Sequence, residues 1–220
     1  MKGLRLQRLE RAQVERICLG AGVLAPVFGV AMLLAASALY PGFDHATQYL
    51  SELGGPTAAN PHVFNIGLTV LGLTGIAAGA GFHLALTRRG LGTLSALLTA
   101  ALMVVGSIAL IIGAVFPWPD PRHLWINMGL GIQIAPLALI WALRRDAPSK
   151  PLRLFLVIAW VAMLALTVIT KHLVFQGLVN DANVGLWERS YAFVLVAWIG
   201  VAAWWLLRTH PPVRRTGESF

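Results

Sequence analysis

Six unbroken apolar blocks, each long enough to cross a bilayer as a helix, govern what this chain can fold into. They run over 17–40, 63–86, 94–116, 124–143, 152–170 and 191–207. A hydrocarbon core of about 30 Å needs roughly 20 residues of helix. Lipid offers backbone N–H and C=O groups no partner, so such blocks must satisfy them internally, as helices do. The residue alternation of a membrane β-barrel is absent. Composition agrees: charged residues are 12%, against about 25% in ordinary soluble domains. With hydrophobic residues at 57%, a soluble domain would expose large apolar patches. The expected fold is an all-α, polytopic membrane bundle of six helices. It divides into a basic arm (1–16), a transmembrane domain (17–208) and a disordered tail (209–220). Pro26 and Pro136 fall inside the first and fourth blocks, where neighbouring helices can take up the freed carbonyl. Ala36-Ser37-Ala38 is faintly like a signal-peptidase site, but the block before it exceeds the about 7–15 residues of a signal h-region. It is expected to be a retained span.

Charge sets the orientation. With the N-terminus inside, fourteen of the seventeen Lys and Arg residues fall on the cytoplasmic side, leaving Arg122, Lys171 and Arg189 outside. This is the positive-inside pattern, so both termini are expected in the cytoplasm. The net charge of +8 then reads as a topology signal with some affinity for anionic lipid, and no nucleic-acid partner is expected. The arm is expected to form a short basic surface helix. The single cysteine, Cys18, excludes an intramolecular disulfide.

The polar residues gather on the other side. The three outer loops hold five acidic residues, Asp44, Glu52, Asp120, Asp181 and Glu188, and four of the six histidines. His123 and His172 stand at span ends. Asn127 is one α-helical turn past His123 and would share its face. Ionisable groups within a bundle are costly and tend to mark a site. In the second span Gly75 and Gly79 form a small-xxx-small pair, which argues helix packing.

The first outer loop and the helix after it, YLSELGGPTAANPHVFNIGL, resemble the bacterial membrane family known as domain of unknown function 998 (DUF998). The later segments FPWPDPRH and GLWERSY fit it too, in the same order. The resemblance covers nearly the whole chain and implies six spans in a bacterial plasma membrane, with no settled activity. A fainter similarity links the first outer loop to the eukaryotic Frag-and-DRAM family, some of whose relatives act in lipid-anchor remodelling. It hints at lipids and carries over no catalytic residue.

Three functions fit these residues. The first is a lipid-directed hydrolase or transferase at the outer leaflet. Its zinc would be held by His123 and His172, with Asp120 or His45 third and one position open. Glu52 would be the general base for a metal-bound water, or Ser51 a nucleophile beside a histidine. No H-E-x-x-H or G-x-S-x-G pattern supports it. Ser51 also reads as a helix N-cap, with Glu52 favoured by the helix dipole. The second is a non-catalytic lipid-binding or assembly protein. There Asp44, Asn127, Glu188, Arg189 and the histidines lock the loops together, Glu188 pairing with Arg122 or Arg189. The third is a small transporter, which would need midplane charges and repeated halves, and neither is seen. In each case the expected partner is membrane lipid.

Overall fold

The computed structural model describes residues 2–170, 175 and 177–209. His172 and the expected tail beyond Thr209 lie outside the described residues. Among the described residues there are six α-helices: α1 (Lys2–Ala38), α2 (Pro61–Arg88), α3 (Thr93–Val115), α4 (Leu130–Ala142), α5 (Lys150–Val168) and α6 (Val184–Arg208). Six segments, α4 counted together with the 3-10 turns that flank it, are long and apolar enough to cross a membrane. The chain is a multi-pass membrane protein with an all-α bundle, as the apolar blocks require.

Three boundaries differ from the sequence expectation. The basic arm and the first span are one continuous helix, α1. The fourth span opens as a 3-10 turn, Pro121–Gly129, before α4 begins. The sixth begins at Val184, seven residues before the apolar block at 191, so Glu188 and Arg189 belong to its first turns and not to a loop.

The helices close into a ring in which each packs on its neighbours in sequence and α6 returns to α1, with α2 and α6 also touching across the middle. Phe82 of α2 and Trp198 of α6 stack at that centre, ring centroids 6.0 Å apart, and both are fully buried. The α2 glycine stripe lies against α3. A Cβ on Gly75 would stand 2.3 Å from Ser107 Oγ, and one on Gly79 would stand 2.9 Å from Met103 Cβ. Only small residues permit that approach, and in a membrane such van der Waals contact holds helices together. A polar knot joins the other side of the ring. Gln133 of α4, 5% exposed, accepts at Oε1 from Tyr191 Oη of α6 (2.8 Å) and from Thr167 Oγ1 of α5 (3.2 Å).

The bundle has two ends. The termini end carries the start of α1, the α2–α3 and α4–α5 connections and the end of α6. The loop end carries the other three connections.

Candidate functional site

The loop end is built around the α1–α2 connection. After α1, Gly42 turns the chain at φ 76°, a conformation glycine adopts without a Cβ clash. Asp44 then closes a local turn, its Oδ1 accepting from Ala46 N at 2.7 Å. That hydrogen bond, followed by one from Thr47, holds the Asp44 carboxyl below its ordinary range. Gln48 Oε1 accepts from Asp44 N at 2.8 Å. The SELG run forms a short 3-10 turn, Leu50–Gly54, preceded by Tyr49 as its cap residue.

Two carboxylates serve the start of that turn. Glu52 reaches back to Tyr49 N (2.8 Å) and also accepts from Gln48 Nε2 (2.9 Å). Glu188, from α6, accepts from Leu50 N. Orphan N–H groups at a helix start are satisfied by such acceptors and favour negative charge. Ser51 is therefore not the N-cap. It is the second residue of the turn, because the Glu52 side chain already does the capping. Glu188 forms no salt bridge with Arg122 or Arg189 among the described residues; it points to backbone.

Arg189 fastens the loop from the same helix. Its Nη1 donates to Gln48 O (2.9 Å) and Gly185 O (2.7 Å), and its Nε to His45 Nδ1 (3.1 Å). The guanidinium lies over the Phe43 ring, 5.1 Å from the centroid. Beside it, Gly185 N donates to Ala46 O at 2.8 Å. A Cβ on Gly185 would come within 2.5 Å of Gln48 O, 2.7 Å of His45 O and 2.8 Å of Ala46 O. Gly185 is thus the residue that lets the loop lie on α6. Sequence reading passed it over, although it opens the GLWERSY segment. Gly54 has a similar part: a Cβ there would stand 2.1 Å from Asn65 Oδ1, and Asn65 Nδ2 donates to Gly54 O at 3.0 Å. The glycine of SELG and the asparagine of α2 are one contact.

The α3–α4 connection is a second, separate group. Asp120 caps the 3-10 turn and is held by Arg122, whose Nη2 donates to Oδ2 at 2.7 Å and whose N donates to Oδ1 at 2.9 Å. The side-chain bonds first, and the backbone bond second, push the Asp120 carboxyl down to about 2. His123 is 8% exposed, with Nδ1 2.9 Å from Phe116 O and its ring against Trp118. Asn127 is exposed and does not share the His123 face. A 3-10 turn repeats every three residues, so the fourth residue on is rotated away by about a third of a turn. The two groups touch where the Cβ position of Gly55 meets Trp118 O at 3.2 Å, but no hydrogen bond joins His123 to Ser51 or Glu52.

Among the described residues, no three His, Cys, Asp or Glu side chains come together as metal ligands. His45 is engaged by Arg189, Asp120 by Arg122, and His172 lies outside the described residues. Chemically, the loop end is a set of charge-assisted clasps that hold loop backbone to helix.

No curated protein and no solved structure matches this chain. A family match does exist, and it spans the elements that build both groups, from within α1 to near the end of α6. The chain belongs to the family described as protein of unknown function (DUF998), which it matches over residues 23–205.

Proposed function

We propose that this chain is a non-catalytic lipid-binding or assembly protein of a bacterial plasma membrane, with both termini in the cytoplasm and its clasped loop end on the outer face. One observation carries this reading. Among the described residues, the acidic and imidazole groups that a hydrolase or transferase would use are committed to backbone and to arginine, with Glu188 and Glu52 both capping the turn that follows Tyr49. Charge-assisted bonds to backbone N–H are among the stronger hydrogen bonds, so these groups fix a loop. The basic residues at the termini end support the orientation through the positive-inside bias.

The test is metal content and unfolding on protein purified without chelator or His tag. No stoichiometric metal is expected. Glu188→Gln and Arg189→Met should lower the unfolding midpoint and open segment 41–60 to protease, while His123→Ala still inserts. Near-stoichiometric zinc lost in His123→Ala would overturn the reading in favour of a lipid-directed hydrolase or transferase built on Ser51, Glu52, His123 and His172.

A further inference from the structure

A second feature lies away from the loop end. It is a slot of about 430 Å³ between α1 and α6, lined by Val23, Pro26, Phe193, Ala197, Gly200 and Trp204 among others. Its size falls in the range of small-molecule sites, roughly 300–1,000 Å³. The sequence explains its shape. Ala197 and Gly200 are small and form the floor, while Phe193 and Trp204 stand on either side of them and are substantially exposed. Pro26 packs directly on Gly200, where a Cβ would stand 2.7 Å from Pro26 Cγ.

The termini end of the slot is cationic. The Arg208 guanidinium lies over the Trp204 ring, 4.9 Å from its centroid. On α1, Arg16 is two turns before Val23 and falls on the same face. The register brings the two arginines level. The Cβ position of Gly22 meets Ala203 Cβ at 3.0 Å; Arg208 is five residues past Ala203, and Arg16 is six residues before Gly22. The helices run antiparallel, so the two side chains differ in height by about one residue, or about 1.5 Å. Both are exposed, and neither is in a salt bridge among the described residues. An apolar slot in the hydrocarbon region, with two exposed guanidiniums at one mouth, complements one kind of molecule: an acyl chain joined to a phosphate.

We infer that the α1–α6 slot is a binding site for an anionic phospholipid of the leaflet at the termini end, its acyl chain between Pro26 and Trp204 and its phosphate between Arg16 and Arg208. The site is separate from the loop-end clasps and does not depend on their role. Exposed annular lipid would feel the general basic charge of this end. A site differs because it needs these two arginines and this slot together.

Trp204 provides the readout. The full chain in nanodiscs is titrated with brominated phosphatidylglycerol or brominated phosphatidylcholine in an unbrominated phosphatidylcholine background. Trp204 quenching is the difference between wild type and Trp204→Phe. Each guanidinium near a membrane surface contributes about fivefold to anionic attraction, so with two of them phosphatidylglycerol should half-quench at about 25-fold lower mole fraction. Arg16→Gln with Arg208→Gln should bring the two lipids to near parity. Arg11→Gln, on another face of α1, should leave the preference intact. Ala197→Phe fills the slot without touching a charge and should abolish the quenching. Equal curves for the two lipids in wild type, or an Arg11→Gln loss as large as that of the double variant, would overturn the site. So would a Trp204 that neither lipid reaches because a second copy covers it, seen as a dimer.

Discussion

The two ends of the bundle are both held by charged side chains, but in opposite senses. At the loop end, Glu188 and Glu52 accept from backbone N–H groups at the start of a short turn. At the termini end, Arg89 donates to backbone oxygens at the end of α6: Nη2 to Thr209 O at 2.9 Å and to Leu206 O at 3.2 Å. Each charge complements the partial charge of the helix terminus it meets. The loop end's ion pair, Asp120 with Arg122, lies within one turn, whereas the termini end's, Glu15 of α1 with Arg88 of α2, joins two helices. Arg88 Nε reaches Oε2 at 2.7 Å and Nη2 reaches Oε1 at 3.0 Å, and Glu15 is 1% exposed. The loop end thus holds a loop to a helix, and the termini end holds helices to one another. Damage should therefore be local at the first and global at the second, except where the backbone contact itself is blocked.

Gly185→Val is that exception and should show the largest effect. Three backbone carbonyls surround the new Cβ, and none can move as a side chain would. Overpacking costs about 1–3 kcal/mol, and this site belongs at the upper limit. Thermal unfolding in detergent should fall steeply, with segment 41–60 cut early by protease. A midpoint within error of wild type would mean the loop does not rest on α6.

Arg88→Met should come next. It leaves Glu15 buried without its bidentate partner, and breaking a buried pair from one side costs about 3 kcal/mol or more when fully buried. Arg88 is partly exposed, so about 2 kcal/mol is expected. Glu15→Leu combined with Arg88→Met should recover most of it, since apolar replacement of both partners is often neutral. Failure of the double variant to recover would show that the pair specifies more than α1–α2 contact.

Arg89→Met should cost less, about 1–2 kcal/mol, through lost donors on the last turn of α6. It should speed amide exchange there while leaving the loop end untouched. Exchange that rises equally at both ends would dissolve the distinction between them.

Acid should give the smallest effect. Asp120 and Asp44 have carboxyls held below their ordinary values. A depressed folded value stabilises above the unfolded value of about 3.9, and the gain is lost as pH falls through the folded value. For Asp120 that window runs from about 4 down to about 2. Asp44 is exposed and Asp120 partly so, so a slight drop in midpoint is expected, and Asp120→Asn should flatten its lower part.

How much of this is legible in the sequence follows from which physics is local. The spans at 63–86 and 94–116 lie within about two residues of α2 and α3, because burial in lipid is a sum over neighbouring residues. The start of α6 was missed because Glu188 and Arg189 interrupt the apolar run although they are helical. The Asn127 face was misjudged because Pro121 opens a 3-10 turn, whose period differs. The loop-end residues Glu52, Glu188, Arg189 and His45 are all visible as polar residues on one side. What each one holds is not, since Leu50 and Glu188 are 138 positions apart. Gly185 and the Gly54–Asn65 contact carry meaning only once two segments are brought together.

The Gln133 knot has a consequence for how the bundle is assembled. α5 packs chiefly on α4 and α6, and its polar ties reach one to each. Tyr191 shares the Gln133 oxygen with Thr167, and Trp187 Nε1 donates to Leu166 O at 2.7 Å. A nascent chain that has inserted five spans holds α5 through α4 alone, by its packing on that helix and the weaker Thr167 bond, with its α6-facing side open to lipid. Arrival of the sixth span is what closes the ring, so α6 is the latch of membrane assembly. A chain stopped after Thr170 should accordingly keep α1 to α4 together, with α5 left accessible to crosslinking from lipid.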